Sequence, residues 1–277
     1  HLEPVRFVRG KEPDALVLGI LIHSALRSCY ESFLKTGWPV TTLADDTIRR
    51  SAEEAVATAA VDCEREYPPG HFLLWELAKE QAVALVIATI SSDQAAYTEL
   101  PYQPIAFEQE AIGVLSATVE DEPVALKIQG RLDRIDRHRD SGVLRVIDYK
   151  YKAGTGMKTE DRNLRQSAIR GYRLQPPFYA RLDLAELGTT EEVQLLFVAP
   201  KWPKPIEQSR FEQRNWSGQT GALLQDTVDR LVTGLRAGWF FILPGTYCQT
   251  CEYRVACRRE HQLTWWRSYR ATESREL

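Results

Sequence analysis

The sequence predicts an α/β chain: a mixed central β-sheet flanked by helices, with a helical N-terminal third and a small C-terminal cysteine cluster. Three observations carry this. Apolar residues recur at helical spacing over 15–36, 46–66 and about 72–90. Short runs rich in Val, Ile and Leu follow at 104–117, 124–137 and 143–151, with Asp140-Ser141-Gly142 as a turn between the last two. Helix and strand signals then alternate, which gives a mixed sheet rather than a regular doubly wound one.

Each element has its own local reason. The first helix stops at Gly37 and the second at Tyr67-Pro68-Pro69-Gly70. The stretch 153–172 is polar and basic and reads as a mobile loop or partly helical link. Residues 175–186 read as a helix that opens on Pro176-Pro177, where proline is tolerated. Residues 193–198 (VQLLFV) read as a buried strand, and about 220–237 as a helix. Residues 1–240 are expected to form one core, with 241–277 as a cysteine-bearing segment packed on it.

A chain of 277 residues with 44% apolar content can bury a large core. Its formal charge of −3 excludes a binder that is cationic throughout, but leaves room for a local basic surface. No apolar run approaches the ~18–20 residues that span a bilayer, and the N-terminus lacks a signal pattern. A cytoplasmic location and no membrane partner are expected. The five cysteines, an odd number, fit metal or cluster chemistry in a reducing compartment better than a disulfide framework.

The chemistry concentrates in Gly130-Arg131-Leu132-Asp133-Arg134-Ile135-Asp136 and, after the hairpin turn, Val146-Ile147-Asp148-Tyr149-Lys150. Side chains alternate along a strand, so Asp148 and Lys150 share one face while Ile147 and Tyr149 share the other. Asp133 falls on the neighbouring strand, where a cross-strand side chain comes within about 5 Å. Two carboxylates brought together repel unless a cation separates them, and hard oxygens suit Mg²⁺ or Mn²⁺. Such an ion polarises a phosphoryl oxygen and activates water, and Lys150 would orient that water or stabilise developing charge. The competing reading is a solvated, charged hairpin. Asp136 is expected to pair with a neighbouring arginine instead.

Residues 126–175 carry thirteen Lys and Arg against six Asp and Glu, a local charge of +7. That charge lies where a phosphate backbone would approach. Lys152, Lys158, Arg162, Arg165 and Arg170 are the candidate DNA contacts, against the plain reading of a solvated loop.

GRLDRID and VIDYK resemble the two core motifs of the RecB-like branch of the PD-(D/E)xK nucleases. Gln175 and Tyr179 in QPPFY resemble the Q-x-x-x-Y motif that follows the catalytic lysine. Gly19 and His23 resemble the upstream G-x-x-x-H helix. Together the motifs span about residues 18–257. The resemblance implies that His23 joins Asp133 and Asp148 on the metal. It also implies that Gln175 and Tyr179, one helical turn apart, work beside Asp133, Asp148 and Lys150. One departure is local: the family continues D-Y-K-T-G, whereas this chain reads Asp148-Tyr149-Lys150-Tyr151-Lys152.

Cys248, Cys251 and Cys257 form a C-x₂-C-x₅-C array, which points to zinc or an iron–sulfur cluster. The resemblance to AddB-like and CRISPR-adaptation members implies a [4Fe–4S] cluster, whose fourth cysteine in those proteins precedes the histidine helix. No cysteine precedes His23 here. The ligand could belong to an upstream segment, since the chain opens at His1 rather than Met. Cys29 or Cys63 could substitute, or His261 could complete a Cys₃His zinc site.

The reading that follows is a divalent-metal-dependent deoxyribonuclease of DNA repair and recombination, with exonuclease action on single-stranded ends. No G-x-x-x-x-G-K-[ST] loop is present, so a helicase subunit or fused helicase domain is the expected partner. The alternative is a non-catalytic DNA-binding module of a helicase–nuclease complex.

Overall fold

The computed structural model describes residues 15–36, 43–152, 160–201, 203–239 and 257. In chain order these form helices α1 (Ala15–Thr36), α2 (Asp45–Glu66) and α3 (Phe72–Ala96), then strands β1 (Tyr102–Val119), β2 (Glu122–His138) and β3 (Leu144–Tyr151). Helices α4 (Asp161–Ile169) and α5 (Gln175–Tyr179) precede β4 (Thr190–Val198) and β5 (Ile206–Glu212), and α6 (Gly218–Arg236) follows a short 3₁₀ turn. Contacts divide the chain into one unit of Arg9–Asp229 and a second of His1–Val8 with Arg230–Leu277. The Arg9–Asp229 unit holds the sheet and the acids of the candidate active site.

The sheet order is β1-β2-β3-β4-β5. Every pairing is antiparallel except β3 with β4, which is parallel. A parallel pair needs a crossover, and α4 with α5 supplies it. Alternation along β3 and β4 then sorts the core into two layers. Ile147, Tyr149, Leu196 and Val198 face the α1–α3 layer. Leu144, Val146, Leu195 and Phe197 face the layer that includes Leu164 and Ala168 of α4. Asp148 shares the parity of Val146, so it replaces an apolar residue on the α4–α5 side.

The helical layer follows from residue stride. In α1, Val17, Leu18, Leu21, Ile22, Ala25, Leu26, Cys29, Tyr30 and Phe33 are buried, a stripe at i, i+3 and i+4. Small Ala52, Ala55, Ala59 and Ala60 of α2 let the helices approach closely. Among the described residues no helix is long and apolar enough to cross a membrane.

Two expectations about elements need correction. The helix expected over 175–186 is confined to Gln175–Tyr179. The chain beyond it is captured by β1: Leu182 bridges Gly113, and the Asp183 N–H donates to the Ile112 carbonyl at 2.8 Å. Gly113 permits this approach, because a Cβ there would lie 2.2 Å from the Arg181 carbonyl oxygen. The second correction is β5, which sequence reading did not anticipate. Its residues IEQSRFE are too polar to show a buried-strand run.

Candidate active site

The β2–β3 ladder runs from Arg137↔Leu144 to Arg134↔Ile147 and stops. One step further, Asp133 and Asp148 would stand opposite each other. Backbone pairing gives way there to a side chain: the Tyr149 N–H donates to Asp133 Oδ2 at 2.8 Å. The carboxylate thus sits where the two strands part, at the end of an otherwise closed hydrogen-bond ladder.

His23 projects from α1 towards the same oxygen, with Nδ1 3.4 Å from Asp133 Oδ2. Its ring meets the Tyr149 ring edge-on at 5.5 Å between centroids. Burial lowers the imidazole pKa, opposed in part by the negative charge of Asp148. His23 is therefore neutral at neutral pH, the form that can offer a lone pair to a cation.

Two residues along β3 from Asp148, Lys150 reaches back with Nζ 2.6 Å from Asp148 Oδ2. The two form a close ion pair at an oxygen buried from solvent. Asp148 Oδ1 accepts from Gln175 Nε2 at 2.7 Å. The same nitrogen donates to the Tyr179 hydroxyl oxygen at 2.8 Å, and that hydroxyl donates to the Arg131 carbonyl at 3.1 Å. Gln175 and Tyr179 thus tie β3 to β2 across the point where the ladder has ended. Gly130 makes room for this strap, since a Cβ there would lie 2.7 Å from the Tyr179 ring.

Both acids are pushed up to about 6. For Asp133 the main cause is burial, opposed by the Tyr149 N–H and reinforced by Glu108. For Asp148 it is burial, opposed by Lys150 and reinforced by Asp133. Asp133 adds to the rise at Asp148, and Lys150, though 2.6 Å from Asp148 Oδ2, does not cancel the effect of burial. A divalent cation would supply further positive charge. Among the described residues, however, no three His, Cys, Asp or Glu side chains are gathered into a ready-made cage. Asp148 nevertheless senses the charges of Asp133 and His23, and Lys150 stands against it.

Behind the site lies an ion-pair network that sequence reading only glimpsed. Fully buried Arg134 grips Asp136 with Nε to Oδ1 at 2.5 Å and Nη2 to Oδ2 at 2.8 Å. Its Nη1 donates to Asp93 of α3 at 2.6 Å and to the Tyr149 hydroxyl at 3.1 Å. Arg145 donates to Asp136 Oδ2 at 2.7 Å, which is the arginine pairing expected of Asp136. Tyr30 of α1 donates to Asp93, and its ring lies under the Arg134 guanidinium at 4.2 Å. Tyr149 is therefore fixed at its hydroxyl, its ring and its backbone N–H, between the two site acids.

The candidate DNA contacts are less gathered. Arg162 and Arg170 are exposed on or beside α4, and Arg165 is half-buried. The Arg210 N–H donates to Asp161 Oδ1 at 2.7 Å and fixes the first turn of α4 against β5. Lys152 follows β3 directly and its N–H donates to the Val198 carbonyl. Lys158, Cys248, Cys251 and His261 lie outside the described residues; Cys257 is a free, half-buried thiol. Cys29 and Cys63 are free and buried in the helical core. Burial pushes the Cys29 thiol up to about 12, which suits packing better than cluster ligation.

Sequence reading missed Glu108. It stands in β1 opposite Asp133, between the pairs Phe107↔Arg134 and Gln109↔Leu132. The only signal was a break in alternation at Phe107-Glu108-Gln109-Glu110.

A mixed sheet with Asp-x-Lys on its central strand and an Asp on the next frames the candidate centre. The PD-(D/E)XK nuclease superfamily model matches residues 2–258, and the chain belongs to that superfamily, a family of divalent-metal-dependent nucleases. No curated relative matches the chain. Among solved structures, it is similar to the crystal structure of SSO0001 at 16% identity and a TM-score of 0.32, covering 84% of this chain and 94% of that one. That likeness is too distant to carry an argument.

Proposed function

We propose that the chain hydrolyses DNA phosphodiesters with Mg²⁺ or Mn²⁺, in the manner of the RecB-like branch, with exonuclease action on single-stranded ends during repair or recombination. The observation that carries this is Asp148: buried, paired with Lys150 at 2.6 Å, and within the field of Asp133 on the adjoining strand.

His23, Asp133 and Asp148 would hold the cation, and neutral imidazole with two hard carboxylates is a donor set that fits Mn²⁺ or Mg²⁺. When bound, the ion supplies a Lewis acid for the phosphoryl oxygen and a more acidic water. The remaining work falls to this chain's own groups. Lys150, itself half-exposed, keeps its ammonium against buried Asp148, where it can orient a nucleophile or meet charge on the phosphate. Gln175 holds Asp148 Oδ1, which leaves Oδ2 to Lys150. Tyr179 fixes Gln175 in turn. Exposed Arg162 and Arg170 supply backbone contacts, with Arg165, Lys152 and Lys158 completing the basic surface.

The C-x₂-C-x₅-C array supports a [4Fe–4S] cluster, with zinc as the other occupant, within a 241–277 segment that staples the C-terminus to a 1–240 core. A helicase subunit or fused helicase domain would supply translocation, and the site would work in the cytoplasm. A second reading, a non-catalytic DNA-binding module, draws on the lack of a gathered three-ligand cage among the described residues.

Mn²⁺-dependent cleavage of single-stranded DNA, with Asp148→Ala and Lys150→Ala beside the wild type, separates the two. Cleavage by the wild type alone supports the enzyme. No cleavage, or equal cleavage by all three, leaves the binding module. A visible absorption band of an iron–sulfur centre decides the occupant of the cysteine array.

A further inference from the structure

Glu108 has φ 50° in the middle of β1, a left-handed backbone that non-glycine residues rarely adopt. No hairpin turn requires it there. Such outliers persist where the surroundings over-determine them, often at functional sites. The register places Glu108 opposite Asp133, and its Oε2 lies 2.5 Å from Arg131 Nε.

That pairing is not the one the ladder offers first. The in-register neighbour of Arg131 is Glu110, yet the guanidinium crosses diagonally to Glu108. Arg131 and Asp133 are two residues apart on β2, roughly 7 Å along the strand, within reach of an arginine. Arg131 already favours the charged form of Asp133. Its carbonyl is held by Tyr179, while its side chain is 61% exposed. An arginine free to swing onto Asp133 would occupy the charge that a cation needs.

We propose that Glu108 is a positioning residue for the cation site: it draws the Arg131 guanidinium away from Asp133, leaving Asp133 open to a divalent ion and Arg131 turned towards solvent, where a phosphodiester arrives. This rests on the nuclease reading for the purpose of the ion, but its test needs no cleavage.

Mn²⁺ binding to the full chain, measured by calorimetry at one pH, is compared for wild type, Glu108→Gln, Arg131→Ala and the double variant. Glutamine keeps the size and the backbone constraint of Glu108, and circular dichroism checks each fold. Loss of the Glu108 charge alone weakens binding by a factor that simply multiplies with the Arg131→Ala factor. If Arg131 collapses onto Asp133, the double variant binds more tightly than that product by about threefold or more, the size of coupling expected of residues in contact. A smaller departure overturns the proposal, and means that Glu108 acts only as a distant charge or that Arg131 turns to Glu110. Asp133→Asn is the control: if it binds Mn²⁺ like the wild type, the cation reading falls and the proposal falls with it.

Discussion

Asp133 and Asp136 lie three residues apart on β2, and their surroundings push them in opposite directions. Asp136 is fully buried between Arg134 and Arg145, and those guanidiniums outweigh burial and hold its carboxyl below the usual range. Asp133 is nearly as enclosed but faces a half-buried histidine and one backbone N–H, and its pKa rises to about 6. One acid is over-supplied with partners and belongs to the frame. The other is under-supplied and waits for a ligand. A buried charge that keeps its own counter-ion serves structure; one that lacks it marks a place where charge arrives from outside.

The largest expected effects come from exchanging the site acids and the frame acid for their amides. Asp133→Asn or Asp148→Asn should lower DNA cleavage by about 10³-fold or more, equivalent to at least ~4 kcal/mol of barrier. In metal-free buffer at pH 8 Asp133→Asn should leave the thermal midpoint unchanged or raised, because a buried carboxylate with a raised pKa is removed. Asp136→Asn should do the reverse at the level of folding, costing about 3–5 kcal/mol, because Arg145 loses its carboxylate partner and fully buried Arg134 is left with Asp93 alone. Urea unfolding of these two variants checks the contrast. If Asp133→Asn and Asp136→Asn destabilise equally, the division into site and frame is wrong.

How much of this division was legible in the sequence depends on the range of the interaction. The hairpin that carries both acids follows from apolar alternation and one Asp-Ser-Gly turn, and the pairing of Asp136 with an arginine follows from its neighbours. The partners from afar did not. Asp93 reaches Arg134 from α3, 41 residues away, and nothing in its helix marks it. Glu108 enters through a backbone conformation that composition does not encode. Gln175 and Tyr179 were named as a pair, but the strap they make across the split ladder needed the register of β2 and β3. The helix around them was overextended because β1 competes for the backbone beyond Tyr179, a tertiary effect that overrides local propensity.

A second way to sharpen the contrast is pH. Asp133 and Asp148 have folded pKa values of about 6 against unfolded values near 4, so their favourable contribution is full below about pH 4 and lost as pH rises through 6. Asp136 has the opposite sign: its contribution is present at neutral pH and lost as acid protonates it. Metal-free wild type should therefore gain on the Asp133→Asn/Asp148→Asn double variant as pH falls from 8 towards 5. Added Mn²⁺ should stabilise the wild type at pH 8 by RT ln(1 + [Mn²⁺]/Kd) and lose that benefit below about pH 6, where protons compete for the same oxygens. Chelation should restore the metal-free midpoint. Thermal melts at matched ionic strength measure all three; a Mn²⁺ benefit that persists at pH 5 places the ion elsewhere.

Residues that hold the acids, rather than bear the charge, should matter less. Gln175→Ala frees Asp148 Oδ1, and Tyr179→Phe removes the link to the Arg131 carbonyl. Each should cost about 10- to 100-fold in activity, the usual scale for groups that orient ligands. Gly130→Ala should resemble Tyr179→Phe, because its Cβ displaces the Tyr179 ring. Single-turnover rates at saturating Mn²⁺ check these, and unchanged rates in all three would remove the strap from the mechanism.

The smallest effects belong to the basic surface, where charge is exposed and screened. Arg162→Ala and Arg170→Ala touch neither acid, so cleavage at saturating DNA should stay within about twofold of wild type, in keeping with the weak energetics of exposed charge. Their signature is the salt dependence of DNA binding. Each arginine that meets a phosphate releases about one counter-ion, so the slope of log K against log[salt] should fall by roughly one per substitution. Arg165, half-buried on the same helix, tests whether the contact runs along α4 or only past its ends. A lower slope for Arg165→Ala as well would draw the strand along the helix face. An unchanged slope, with both exposed arginines effective, would have the strand cross only at residues 162 and 170. If no slope changes, α4 carries its charge for solubility, and the strand reaches Asp148 by another route.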